Sequence, residues 1–272
     1  MFQYTRNSTG LSAAFQILRL IFVNTVRHVR KSHGNPLMGL ILSVLQTIIL
    51  VSVFVFMFTI LGLRGAAIRG DFILYILSGI FLFLTHNKAL AAVAGAENAT
   101  SPMMQHAPMN TMIAVTSAAL SSLYTQVLAA IVILAIYRLG WNAGEFQNPA
   151  GAAGMLLLAW FSGAAIGMVF LAAKPWAPRG VGLVQTFYTR ANMIASGKMF
   201  VANQTPTFIL SMFTWNPLFH TIDQARGFTF VNYSPHYSSV MYPIYFSLIF
   251  LTIGLLAEFF TRRRASLSWS AR

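Results

Sequence analysis

The sequence predicts an all-α integral membrane protein: six transmembrane helices, an N-terminal interfacial amphipathic helix, and two re-entrant half-helices before the last span. Three observations carry that fold class. Charged residues make up 8% of the chain and hydrophobic residues 57%, too little polar surface to cover a water-soluble globule of 272 residues. The segment Val240 to Phe260 holds a single charge, Glu258; at about 1.5 Å of rise per residue its helix matches a hydrocarbon core roughly 30 Å thick. Arg262, Arg263 and Arg264 close that segment, and basic residues beside a span are retained in the cytoplasm, which places the C-terminus inside. The expected organisation is a cytoplasmic N-terminus over 1–36, one transmembrane domain over 37–260 and a cytoplasmic tail over 261–272.

A formal charge of +13 and a pI near 10.8 would suggest nucleic acid for a soluble domain. Here the basic residues cluster beside the apolar segments, where the topology rule already accounts for them, so no nucleic-acid partner is expected. The chain has no cysteine, hence no disulfide framework and no thiolate site. Met1 to Gly10 is polar and the first long apolar run starts at Leu37, which argues against a cleavable signal peptide.

From the N-terminus, Leu11, Ala14, Phe15, Leu18, Ile21, Phe22, Val26 and Val29 recur at helical spacing, with Arg19, Arg27, Arg30 and Lys31 between them. The pattern suits a helix lying in the cytoplasmic interface, its arginines among lipid phosphates, or an amphipathic helix packed on a soluble partner. Gly34, Asn35 and Pro36 break it, and 37–63 then runs without a charge as the first span. The second span, 72–94, turns polar at His86, Asn87 and Lys88 in its cytoplasmic half, where Lys88 snorkels or lines a wet cavity.

Ala96 to Asn110 is the main cytoplasmic loop. The triplet at Asn98 is read as a chance match to a glycosylation acceptor, and His106 as a surface or contact residue with no second metal ligand nearby. The third span, 111–137, offers a narrow face at Ala118, Ala119, Ser121 and Ser122. In the fourth, 152–173, Gly163 and Gly167 have the small-residue spacing of close helix packing, within the chain or at a dimer seam. A fifth span is expected over 181–199 with Arg190 near its middle, and the sixth over 240–260. Between them Phe200 to Trp215 and Pro217 to Gly227 are too short to cross and are read as re-entrant pieces. The alternative is an interfacial loop anchored by Trp215, Phe219 and Tyr233.

With both termini inside, eleven basic residues fall in the cytoplasm against Arg64, Arg69, Arg138, Lys198 and Arg226 outside, which agrees with the orientation. The five acidic residues are scattered over different segments, so no paired carboxylate, catalytic constellation or metal cluster is visible. No Gly-rich phosphate loop ending in Lys-Ser or Lys-Thr occurs. No cofactor is expected on this chain.

The order of these parts, together with Ser196-Gly197 and Phe200, the run Trp215-Asn216-Pro217-Leu218-Phe219-His220, and then Asp223 and Arg226, resembles the permease subunits of type 2 ABC exporters, those moving capsular polysaccharide, O-antigen and related polymers. The resemblance covers about Leu11 to Arg264. It implies a non-enzymatic homodimer in the bacterial inner membrane, joined to two copies of a separate ATPase that binds ATP and Mg. Its substrate would be a polysaccharide, lipid-linked or anchored at its reducing end, handed on to periplasmic or outer-membrane export proteins. By the same resemblance Ala96 to Pro108 is the ATPase-coupling loop, with Glu97, Met103, Met104, His106 and Pro108 as contacts. The loop departs from the family pattern in having His106-Ala107-Pro108 and no Lys or Arg. Arg190, Lys198, Asn216 and His220 are the translocation-path residues expected; for Arg190 an internal partner such as a carbonyl or Glu258 is the competing role. A permease for a drug, haem or lipid, or a non-transporting scaffold, would share the span pattern.

Overall fold

A computed structural model of the chain describes residues 10–33, 36–60, 71–97, 110–140 and 146–268. Among them every regular element is helical: α1 (Gly10–His33), α2 (Pro36–Ile60), α3 (Phe72–Ala94), α4 (Thr111–Gly140), α5 (Pro149–Ala173), α6 (Pro178–Ala195), α7 (Thr207–Leu210), α8 (Pro217–Thr229) and α9 (Met241–Ser268). Five of these, α2, α3, α4, α5 and α9, are long and apolar enough to cross a membrane, so the described residues form an all-α structure of the kind expected of a multi-pass membrane protein.

The sequence dictates the helix starts locally. Asp71 accepts the amide of Ile73 at 2.8 Å to cap α3. Asn148 accepts that of Gly151 at 2.9 Å ahead of Pro149, and Asn216 that of Leu218 at 3.0 Å ahead of Pro217. In each case a short polar side chain occupies an amide left without a helical partner, and at α5 and α8 the proline at the next position loses nothing by lacking one.

α3 is the central strut. Its most apolar stretch is 78% buried inside the protein, against 17% for α2, so α3 is surrounded by other helices while α2 turns Ile41, Ile48, Val53 and Phe56 outward. α5 packs along α3 on one side and along α9 on the other. The glycines make these approaches possible: a Cβ on Gly163 would lie 2.2 Å from the carbonyl oxygen of His86, one on Gly167 2.7 Å from that of Leu90, and one on Gly254 2.8 Å from Met168 Cγ. The small-residue pair of the fourth span therefore serves packing within the chain. On α4 the expected narrow face contributes Ala118 and Ala119, both buried, and Trp160 of α5 donates to the Ala119 carbonyl at 2.8 Å. Trp176 is exposed but donates through its indole to Thr261 Oγ1 at 2.8 Å, joining the end of α5 to α9. α1 lies across α4 and α2, with Ser117 Oγ donating to the Ile21 carbonyl at 3.2 Å.

The expected fifth span and the first re-entrant piece take other local forms. The stretch read as a fifth span, 181–199, is the 18-residue α6 followed by a turn. It is not among the helices apolar enough to cross, because Gln185, Thr186, Thr189, Arg190 and Asn192 interrupt it. The first re-entrant piece, Phe200 to Trp215, is a 3-10 turn at Ala202–Gln204 and the single-turn α7, not a half-helix. The second is a helix, α8, of 13 residues.

Candidate functional site

The turn after α6 and the start of α8 form a buried polar knot against α3. Gly197 has φ +74°, a conformation that glycine adopts without steric cost, and a Cβ there would meet the Phe219 ring at 2.8 Å. The turn points the next side chain, Lys198, into the bundle. Its ammonium lies 3.8 Å from the centre of the Phe83 ring and 5.5 Å from that of Phe54, and it donates to the Met193 carbonyl. Phe83 is eleven residues into α3, about 16 Å along the axis, so this cation sits near the middle of the strut. The rings attract it through their negative faces, a term that grows where water is excluded.

Arg226 of α8 holds the same turn. Its Nη1 donates to the carbonyls of Gly197 at 2.9 Å and Phe200 at 2.7 Å, and Nη2 to that of Lys198 at 2.8 Å. The guanidinium also lies 4.2 Å over the Tyr75 ring. Gly79 of α3 leaves room for the arrangement, since a Cβ there would be 2.9 Å from that of Lys198 and 3.2 Å from Arg226 Nη2. The planar fork suits three converging carbonyls in a way that an ammonium does not.

Asn216 joins α6 to α8: its amide donates to Asn192 Oδ1 at 2.7 Å and to the Ala195 carbonyl at 3.0 Å while its oxygen caps α8. His220 Nε2 faces the Thr214 carbonyl at 2.7 Å, and its Nδ1 accepts the Ser239 amide at 3.0 Å. A carbonyl only accepts and an amide only donates, so the ring is neutral with its proton on Nε2. Asp223 accepts from Tyr233 Oη and from Ser238 Oγ at 2.6 Å. Burial, and then the Asp223 carboxylate beside it, push the Tyr233 hydroxyl well above its ordinary range, so it stays a donor. Asn216→Ala is expected to cost about 1–2 kcal/mol through the lost cap and to loosen the joint between α6 and α8. Hydrogen exchange of the first α8 amides checks this, and unchanged protection there would contradict it.

Three of the four expected path residues, Lys198, Asn216 and His220, are therefore brought together, all buried. Arg190 is not among them. It lies on the exposed side of α6, in a stripe with Leu183, Phe187 and Ile194, which are 73%, 75% and 66% exposed. The expectation that it faces the interior of this chain is corrected, as is the pairing with Glu258, a buried residue one turn before Arg262 near the far end of α9. Lys198 and Arg226, read as outside-loop charges, are 4% and 1% exposed and drop out of the charge asymmetry. The anchoring loop is corrected in the same way, because Phe219 and Tyr233 are buried and only Trp215 of the three is exposed. Of the coupling-loop residues, Glu97 ends a described stretch, half-buried, and Met103, Met104, His106 and Pro108 lie outside the described residues.

A second polar group gathers around His86, whose partners the sequence does not show. His86, fully buried about two-thirds of the way along α3, places Nδ1 2.9 Å from Ser162 Oγ and 3.2 Å from the Ala159 carbonyl, and Nε2 3.1 Å from Tyr188 Oη. Ser162 donates its own proton to the Ala159 carbonyl at 2.9 Å, so both groups at Nδ1 accept. The proton is on Nδ1, and Tyr188 donates to Nε2. This bond ties the lightly packed α6 to the α3 and α5 pair. The signal was the break in apolarity at His86; its partners, 76 and 102 residues away, leave no local pattern. No group of metal-ligating side chains occurs among the described residues. No protein-family model matches the chain, and no curated protein matches it.

Proposed function

We propose that this chain is the transmembrane subunit of an ATP-driven exporter of a cell-surface polysaccharide, acting as a homodimer in the bacterial inner membrane with two copies of a separate ATPase. The observation that carries the reading is the knot around Lys198, Asn216, His220 and Arg226. Buried cations are expensive unless paired and hydrogen-bonded, and here Lys198 and Arg226 are retained beside the middle and upper turns of the longest-buried helix. Gly197, Phe200, Asn216, His220 and Arg226 of the knot are among the residues carrying the resemblance to polymer exporters. In this reading α8 is the re-entrant piece, α6 with its following turn makes a sixth crossing shielded from lipid by a second copy, α1 lies in the cytoplasmic interface, and both termini are inside.

The exposed stripe of α6 supports the same function. A guanidinium among lipid tails costs about 2.5–3.5 kcal/mol on insertion scales, so the stripe containing Arg190 faces a second copy or a wet path. There its fork would engage phosphate or acidic sugars. Arg190→Gln is expected to slow export about tenfold, the loss of one charge-assisted contact, at normal protein level; export at the wild-type rate would remove Arg190 from the path. The reading as a whole is tested by a clean deletion in a strain without a paralogue. Polymer should accumulate inside the cell, and normal surface polymer would overturn the function.

A further inference from the structure

Between α3, α4, α5 and α8, toward the Asp71 end of the bundle, lies a cavity of about 250 Å³. Its inner walls include Leu77, Phe81 and Ala225, and its lining residues Ile131 of α4 and Ala153 of α5 are exposed, which puts its mouth between those two helices. The two lining hydroxyls are already committed: Ser78 Oγ donates to the Tyr75 carbonyl at 2.8 Å and Thr229 Oγ1 to the Ala225 carbonyl at 2.7 Å. Nothing in the lining solicits water, and apolar cavities of this kind stay dry. Left empty, the walls lose their dispersion partners.

We infer that this cavity is a binding site for one acyl chain of an anionic phospholipid, whose phosphate is held by Arg138. A cavity of about 150 Å³ admits a molecule the size of benzene, so this one holds a chain segment of about ten carbons. Three of the four lining helices, α3, α4 and α5, are long and apolar enough to span a membrane, so the hydrocarbon at the mouth is the bilayer itself. The second observation is independent of the cavity. Ile131, Leu134 and Arg138 follow one another three and four residues apart on α4, which puts the exposed Arg138 on the same face as the mouth, about 6 Å beyond Leu134. That is the place of a headgroup whose tail descends between α4 and α5, and a guanidinium takes a phosphate oxygen pair through its fork. The site does not depend on what the protein transports or on which side of the membrane the Asp71 end faces.

The test uses the full chain, delipidated and returned to nanodiscs containing phosphatidylglycerol with a photoreactive diazirine in its acyl chain. Adducts should concentrate on Leu77, Phe81 and Leu156, and native mass spectrometry should show one retained lipid per chain. Ala153→Phe, which blocks the mouth, should abolish that retention. Arg138→Gln should weaken phosphatidylglycerol about fivefold and leave diacylglycerol, which has no phosphate, unchanged. Adducts spread over the outward faces of α2 and α9 without enrichment in the cavity would overturn the site. So would a wild-type chain with no adducts in the cavity and no retained lipid, which would leave the mouth to a second copy. The wild-type adduct map decides the matter even if Ala153→Phe fails to fold.

Discussion

Arg226→Leu is expected to abolish accumulation of folded protein. The side chain is 1% exposed and supplies three hydrogen bonds to the carbonyls of Gly197, Lys198 and Phe200. Leucine fills part of the volume and answers none of those carbonyls. Removing one side of a buried charged network costs about 3–5 kcal/mol, and a domain holds only about 5–15 kcal/mol in all. The loss also releases the turn that aims Lys198 at Phe83 and Phe54, so the damage spreads to a second buried cation. Arg226→Lys keeps the charge but offers one point where three carbonyls converge, and should recover only part of the stability. Thermal midpoints in detergent and membrane levels of the two variants check this; a leucine variant as stable as the wild type would contradict it.

Gly163→Ala should be nearly as severe although it adds one methyl group. That methyl would stand 2.2 Å from the His86 carbonyl oxygen and 2.9 Å from its carbon. These are backbone atoms and cannot rotate away, so α3 and α5 must separate along their length. Overpacking of this kind costs about 1–3 kcal/mol and sometimes more, and the contact falls beside Ser162, which partners His86. Gly154→Ala on the same helix is the control: its added Cβ meets nothing within 4 Å, and it should gain about 0.5–1 kcal/mol from lower chain entropy. Equal thermal midpoints for the two alanine variants would contradict the packing account.

How much of this was legible in the sequence depends on the range of the interaction. Apolar runs such as Leu37 onward and Val240 onward are local and long, and they gave spans at those places. The pair Gly163 and Gly167 was legible as a packing signal, but the spacing does not say which helix approaches, and α3 is some 70 residues away. α6 is harder to read, because Val181 to Gly197 carries enough apolar residues to suggest a span, while its polar residues fall on both sides of the helix. Arg226 and Lys198 were misplaced for a deeper reason. Their partners are carbonyls and ring faces, which every sequence contains, so a cation in a polar stretch looks like a surface charge until the turn at Gly197 is seen. Asn216, by contrast, announced itself by standing before a proline, where a cap is needed.

The central claim is that this chain works with an ATPase it does not itself contain. The most direct measurement is affinity purification of the tagged full-length chain from its native membrane, followed by assay of the purified complex for ATP hydrolysis and for subunit ratio. The account predicts an ATP-hydrolysing subunit present in equal number with this chain, and loss of that subunit in the double variant Glu97→Ala, His106→Ala with membrane insertion intact. A chain that purifies without any ATP-hydrolysing partner, at full yield and correctly inserted, would contradict it.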